Sequence, residues 1–221
     1  MDIKELIKAR HSVRQFTEKA IEDEKREVLN KLAEELNEES GLKIQIIYDD
    51  PECFQTLLAT YGRFKNVVNY IALVGDKNLE KLEEKCGYYG QQLVLKAQDM
   101  NLNTCWVGGT YGKGKCKADK EKGDKIVCVI ALGYGENDGI KHKSKPVTRL
   151  CNVSEKDMPT WFKNGMVAAM MAPTALNQQK FFVSLVDDEV IITAQKGPFT
   201  KVDLGIVKYN FEAVTGRKIN N

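Results

Sequence analysis

The chain of 221 residues is 43% hydrophobic and 29% charged, a composition typical of a globular protein that can bury a sizeable core. Its net charge of +2 is too small to suggest binding to nucleic acid or to an anionic membrane. Charged residues interrupt the N-terminal apolar positions, and no apolar run reaches the roughly 18 residues of a spanning helix. We therefore expect no signal peptide and no membrane span, and predict a cytoplasmic location.

The cysteines and histidines argue against a metal centre. None of the six cysteines belongs to a Cys-x-x-Cys pair, and their spacing matches no zinc template. His11 and His142 are the two histidines of the sequence, so a histidine-rich site is excluded. Free thiols in a reducing cytoplasm are the expectation, with no bound metal.

Amphipathic periodicity predicts most of the helices. Asp2 is the predicted N-cap of the first helix, and Gly41 is the predicted end of the second. Pro173 interrupts the helical pattern that precedes it, because proline cannot continue a helix. In chain order, the helices are predicted over residues 3–9, 22–39, 51–60, 87–101, 159–171 and 202–214.

The strands are predicted from alternation and from continuous apolar runs. The first alternates, which is typical of a strand with one buried face, whereas the second and fourth are uninterrupted apolar runs that indicate full burial. The last two form a predicted hairpin around Asp187 and Asp188. In chain order, the strands are predicted over residues 42–46, 69–75, 104–109, 126–133, 181–185 and 189–194.

A basic segment, Ala9–Phe16, follows the first helix. It places Arg10, His11, Ser12 and Arg14 within five residues, which is three cation-capable side chains and a hydroxyl. Arginine offers a planar fork of donors, and charge-assisted bidentate bonds to such forks suit a phosphate monoester. The alternative is a solvated basic helix end that the helix dipole favours.

Residues 109–116 nearly match a nucleotide-binding P-loop. The segment fits G-x-x-x-x-G-K, but Cys116 stands where a serine or threonine should hold magnesium. A short stretch ending in glycine, 117–123, follows where a helix is required. An exposed lysine-rich loop over 113–124 is the favoured interpretation, and a degraded P-loop nucleotide binder remains an alternative.

Two predicted helices share the same spacing between a glycine and a large apolar residue. Leu93 lies six residues after Gly87, and Phe211 lies six residues after Gly205. Duplication of an ancestral segment and the chance likeness of two amphipathic helices are both open explanations.

Together, four segments resemble landmarks of the FMN-dependent nitroreductase family. Thr174 replaces the serine that is commoner in the family and keeps its hydroxyl, whereas Lys180 stands near a position where the family usually has proline. The segments are Arg10–Arg14, Leu102–Gly109, Leu132–Gly135 with Lys143–Pro146, and Ala172–Gln178.

The order of these segments departs from ordinary members of the family. There the Pro-Ser-x-x-Asn-x-Gln segment follows soon after the Arg-x-Ser-x-Arg start, and two subunits share each flavin. Here the second segment comes far later in the chain. The chain therefore resembles a subgroup in which one chain carries two subdomains arranged like the family's homodimer.

This resemblance implies an α+β, nitroreductase-like fold, with mixed central sheets flanked by helices and two pseudo-symmetric subdomains. Residues 1–150 would form the subdomain that carries the phosphate clamp, and residues 151–221 the subdomain that completes the flavin site. One FMN per chain is expected, in a monomer that is a fused pseudo-dimer or in a homodimer.

The resemblance also implies roles for particular residues. The basic and hydroxyl residues of the first segment would hold the FMN phosphate and ribityl chain, and two lysines would complete the clamp. Backbone amides of the glycine pair, Gly108 and Gly109, would lie near flavin N5. The segment Ala172–Gln178, called the Pro-Thr segment below, would pack on the flavin and hydrogen-bond it. In chain order these residues are Arg10, His11, Ser12, Arg14, Gly108, Gly109, Lys143, Lys145, Pro173, Thr174 and Asn177.

The implied activity is hydride transfer from NAD(P)H through flavin N5 to a small aromatic or quinone-like acceptor. No side-chain acid or base is required, because the flavin carries the reaction and the protein positions it. The alternative within the resemblance is an FMN store or sensor without turnover.

Overall fold

A computed structural model describes residues 1–219, and these residues form six α-helices and six β-strands. The helices are α1 (Ile3–Ala9), α2 (Asp23–Ser40), α3 (Leu57–Tyr61), α4 (Leu82–Asp99), α5 (Thr160–Met170) and α6 (Thr200–Thr215). The strands are β1 (Gln45–Ile47), β2 (Asn69–Asp76), β3 (Asn103–Val107), β4 (Asp124–Gly133), β5 (Phe181–Val186) and β6 (Glu189–Ala194). The α+β class is confirmed.

The chain divides into two compact units that are each discontinuous in sequence. The sheet unit comprises residues 10–82 and 93–141. The helical unit comprises residues 1–9 and 83–92, together with the chain from His142 onward. The predicted division into subdomains 1–150 and 151–221 is a division along the chain, and it stays a prediction.

The sheet unit is built around an antiparallel sheet with strand order β1-β2-β4-β3. Its two central strands are β2 and β4, the uninterrupted apolar runs of the sequence, and their middle residues are fully buried. Two isolated parallel bridges, Ser12–Thr104 and Gln15–Lys65, add the extended N-terminal segment to this unit, so the pairing is mixed.

The helical unit packs α5 against α6 through aromatic rings. The rings of Phe162 and Phe211 meet edge to face at 5.8 Å. The strands β5 and β6 form the predicted hairpin, and both of its turn residues, Asp187 and Asp188, have positive φ. A two-residue hairpin turn requires that geometry, and aspartate tolerates it.

Several predicted boundaries move in the structure. The first strand begins at Gln45, later than the alternation at 42–46 indicated, and α4 begins at Leu82 rather than at Gly87. The predicted helix over 51–60 shrinks to Leu57–Tyr61, because Thr56 has extended backbone (φ −136°, ψ 156°) and caps the helix by accepting from the Ala59 amide. Among the described helices, none combines the length and apolar composition that a bilayer crossing demands.

Candidate functional site

The basic segment lies extended beside β3, which gives its side chains alternating directions. Ser12 forms a parallel bridge with Thr104, and the Val13 amide donates to the Thr104 carbonyl at 3.0 Å. Val13 is buried in the core of the sheet unit. Of the nearby polar residues, Arg10 is also buried, Ser12 is half-buried and Arg14 is exposed.

These three residues converge on the thiol of Cys105. The charges of Arg14 and Arg10 and the Ser12 hydroxyl each act on the acidity of that thiol. Burial raises the pKa of Cys105, and the two guanidinium groups and the hydroxyl oppose that rise without reversing it. A neutral thiol thus lies among two cations and a hydroxyl, so the cluster carries no anion of its own.

Arg10 is the side chain that needs an external partner. Only 3% of its surface is exposed, and its buried Nε has no hydrogen-bond partner among the described residues. Burial lowers its pKa to about 10, which still leaves it charged at neutral pH. A buried, unpaired cation is costly, whereas an anionic oxygen would satisfy both the charge and the Nε–H. The residues present therefore fit a phosphate group.

The neighbouring predicted residues have different environments. The Nδ1 of His11 lies 3.1 Å from the carbonyl oxygen of Asp138. Gly139 follows with φ +73°, and a Cβ there would lie 2.8 Å from the Ser12 carbonyl oxygen, so only glycine fits. Arg14 is exposed, and a Cβ at Gly109 would meet nothing within 4 Å. Open space is therefore available beside the second glycine of the pair.

In the helical unit, the predicted lysines are tied to the Pro-Thr segment by Gln179. This buried side chain accepts from the Lys145 amide at 2.8 Å and donates to the Lys143 carbonyl at 2.8 Å. The Lys145 ammonium donates to the carbonyls of Gln178 and Gln179 at 2.6 and 3.2 Å. Lys145 thus fixes this loop through its ammonium, whereas the Lys143 side chain is exposed.

The Pro-Thr segment holds an unusual backbone conformation. Leu176, Asn177 and Gln179 all have positive φ, although none is glycine. The side-chain amide of Asn177 donates to the Lys143 carbonyl at 2.9 Å, and the Thr174 hydroxyl accepts from the Gln179 backbone amide at 3.0 Å. Such a conformation persists only where surrounding contacts fix it, and functional segments often have it.

Asp203 on α6 anchors the same segment from its other side. Its two carboxylate oxygens accept from the Ala175 amide and the Gln178 side-chain amide, both at 2.9 Å. Sequence analysis found neither Asp203 nor Gln179, because each acts through contacts distant in the chain. Lys180, the residue that departs from the family pattern, donates to the Lys196 carbonyl at 3.1 Å.

Burial raises the pKa of Asp203 to about 6, and its two hydrogen bonds reduce that rise. Between the ordinary value of 3.8 and about 6, the folded chain binds this proton and the unfolded chain does not. The residue therefore disfavours folding at neutral pH, and that penalty disappears as the pH falls. From pH 7 to pH 4, unfolding free energy should rise by about 2 kcal/mol relative to Asp203→Asn.

Urea unfolding of both proteins across this pH range measures the difference. The exposed Thr148→Ser variant, which removes no titratable group, is the control, and its difference from the native chain should stay constant. A constant difference for Asp203→Asn as well would contradict the effect of burial on this carboxyl group.

The P-loop alternative lacks its structural context. A P-loop connects a strand to a helix. Within the described residues, the chain passes from β3 to β4 through turns and irregular backbone, without a helix. The lysine-rich stretch is a loop, as the composition predicted.

Solved structures share this fold. A protein described as a putative nitroreductase from Thermotoga maritima matches with a TM-score of 0.70 at 20% identity, covering 97% of this chain and 83% of that one. A second, from Desulfovibrio desulfuricans and in complex with FMN, matches with a TM-score of 0.55 at 19% identity, covering 72% and 99% of the two chains. At these identities the likeness concerns the fold.

A putative NADH oxidase from Clostridium acetobutylicum matches with a TM-score of 0.51 at 22% identity, covering 66% of this chain and 96% of that one. No curated protein sequence matches. The model of the family described as "Putative TM nitroreductase" matches residues 2–215, nearly the whole chain. The chain therefore belongs to this nitroreductase family, as the four sequence segments predicted.

Proposed function

We propose that this protein is an FMN-dependent oxidoreductase that uses NAD(P)H to reduce a small aromatic or quinone-like acceptor. The observation that carries the proposal is the buried guanidinium of Arg10, whose Nε has no partner, next to Ser12 and Arg14. The relative from Desulfovibrio desulfuricans, which is in complex with FMN, supports the choice of anion.

In this proposal the sheet unit holds the phosphate. Arg10 would donate from its buried Nε, Arg14 from its exposed fork, and Ser12 from its hydroxyl, while His11 would flank the ribityl chain. Charge-assisted bonds contribute about 2 kcal/mol each, so three give roughly 6 kcal/mol. Micromolar affinity requires about 8 kcal/mol net. The phosphate contacts alone are therefore insufficient, and the flavin ring must be buried as well.

The other predicted residues would contribute that second part. Backbone amides at Gly108 and Gly109 are suited to donate to the flavin ring, because open space adjoins Gly109. In the helical unit, Pro173, Thr174 and Asn177 would contact the flavin. Lys143 would add a cation, while Lys145 holds the segment in shape. We propose one FMN per chain.

When bound, FMN would supply the hydride and electron chemistry between NAD(P)H and the acceptor. The protein's part is to position the ring and to stabilise negative charge on it through backbone amides and nearby cations. No side-chain acid or base is assigned.

The purified, FMN-loaded protein tests the proposal under anaerobic conditions. NADH or NADPH should bleach the flavin absorbance, and adding a quinone or nitroaromatic acceptor should restore it. The flavin content should approach one per chain. A flavin that stays oxidised with both nucleotides would indicate a store or sensor, and a protein that binds no FMN would refute the whole proposal.

A further inference from the structure

Two cysteines far apart in sequence meet in the sheet unit. The Gly112 amide donates to the Cys53 carbonyl at 2.8 Å, and the Cys116 amide donates to the Gly112 carbonyl at 3.1 Å. Both backbones are thus hydrogen-bonded to the same glycine, and the Cys116 side chain packs against the buried cluster that contains Cys53. Cys53 is fully buried and Cys116 is half-buried, so solvent reaches the pair from the Cys116 side.

Hydrogen-bonded polar groups of Tyr70, Asp50 and Lys117 lie next to this pair of cysteines. The Tyr70 hydroxyl donates to Asp50 at 2.7 Å, and its presence lowers the pKa of both thiols. The same hydroxyl accepts from the Lys117 amide at 3.0 Å, directly after Cys116. These bonds fix the backbone around Cys116 although it borders an exposed loop.

The two sulfurs differ in acidity. The interaction with the Cys53 thiol lowers the pKa of Cys116 to about 6, while that same interaction and burial raise the pKa of Cys53. Asp50 and burial oppose the ionisation of Cys116, and the Tyr70 hydroxyl favours it. Cys116 is therefore the thiolate of the pair at neutral pH, and the thiolate is the nucleophilic form of cysteine.

We propose that Cys53 and Cys116 form a redox-active dithiol that a hydroperoxide oxidises to an intramolecular disulfide. The Cys116 thiolate attacks the peroxide, so that an S–O bond forms, the O–O bond breaks and an alcohol or water leaves. The Cys53 sulfur then attacks the sulfenic acid, forming the S–S bond, breaking the S–O bond and releasing water. The two thiols lose two electrons and the peroxide gains them. This chemistry is independent of the proposed flavin reaction.

Hydrogen peroxide treatment of the full-length protein, followed by non-reducing digestion and mass spectrometry, tests the proposal. We expect a linked peptide pair containing Cys53 and Cys116, a loss of two free thiols out of six, and full reversal by dithiothreitol. Linkage of other cysteines, or persistence of all six thiols, would overturn the proposal without requiring any variant.

Variants then separate the two sulfurs. Cys53→Ala should leave Cys116 trapped as a sulfenic acid that dimedone labels, and should slow alkylation of Cys116 at pH 7 by about tenfold. Cys116→Ser should abolish both linkage and labelling. Cys151→Ala, which removes a thiol of the helical unit, is the matched control and should link like the native chain. An unchanged alkylation rate in Cys53→Ala would contradict the assigned roles.

Discussion

Replacing Arg10 with methionine should weaken FMN binding by about 1.5–3 kcal/mol, roughly 10- to 150-fold in Kd, because a charge-assisted bond to phosphate is lost. The same change should leave the FMN-free protein equally stable or more stable. A buried cation whose Nε lacks a partner disfavours folding, and an apolar side chain of similar volume removes that penalty. A structural arginine would show the opposite effect on stability.

Two comparisons isolate the phosphate contact. Affinity for riboflavin, which lacks the phosphate, should be nearly unchanged in Arg10→Met, whereas affinity for FMN falls. Arg14→Ala should also weaken FMN binding, while the exposed Arg149→Met, outside the cluster, should bind like the native chain. Flavin fluorescence titration and thermal unfolding of the FMN-free proteins measure these quantities. Full FMN affinity in both Arg10→Met and Arg14→Ala would show that the phosphate lies elsewhere.

Local sequence patterns were sufficient to predict much of the fold. The apolar runs at 69–75 and 126–133 became the central strands β2 and β4, because a strand buried on both faces needs no alternation. The hairpin of β5 and β6 followed from its two aspartates, which tolerate the left-handed turn. The grouping of Arg10, Ser12 and Arg14 was also visible in the sequence, because these residues fall within five positions.

Other parts depend on partners that the local sequence does not indicate. Nothing in the local sequence distinguishes Gln179 from other glutamines. In the structure its side chain hydrogen-bonds the backbone of both Lys143 and Lys145. Asp203 lies in the first turn of α6, where a carboxylate is favoured by the helix dipole alone, so its hydrogen bonds to the Pro-Thr segment left no local signal. The contact between Cys53 and Cys116 is likewise made by the fold.

Packing within the helical unit explains why glycine occupies both position 87 and position 205. A Cβ at Gly87 would lie 2.0 Å from the Val202 carbonyl oxygen, and one at Gly205 would lie 1.9 Å from the Glu84 carbonyl oxygen. Each glycine thus lets its helix touch the backbone of the other. An ion pair between the buried Lys208 and the half-buried Glu84, at 2.7 Å, crosses the same contact. A hydrogen bond between Tyr88 and Glu212, at 2.7 Å, also crosses it.

Gly87→Ala and Gly205→Ala should therefore each destabilise the protein by about 3 kcal/mol. Helix propensity alone predicts the reverse, because alanine is favoured over glycine in a helix interior by roughly 1 kcal/mol. Packing should prevail, since the neighbouring atoms are backbone and cannot rotate away, and separating the helices would break the Lys208–Glu84 pair.

Urea unfolding of the two variants measures this loss, with Gly114→Ala as the control, because a Cβ there meets nothing within 4 Å. The control should unfold within about 0.5 kcal/mol of the native chain, as surface substitutions usually do. The double variant should lose less than the sum of the single losses, since one separation of α4 from α6 relieves both clashes. Stabilisation by either single variant would mean that the two helices do not approach as closely as their glycines allow.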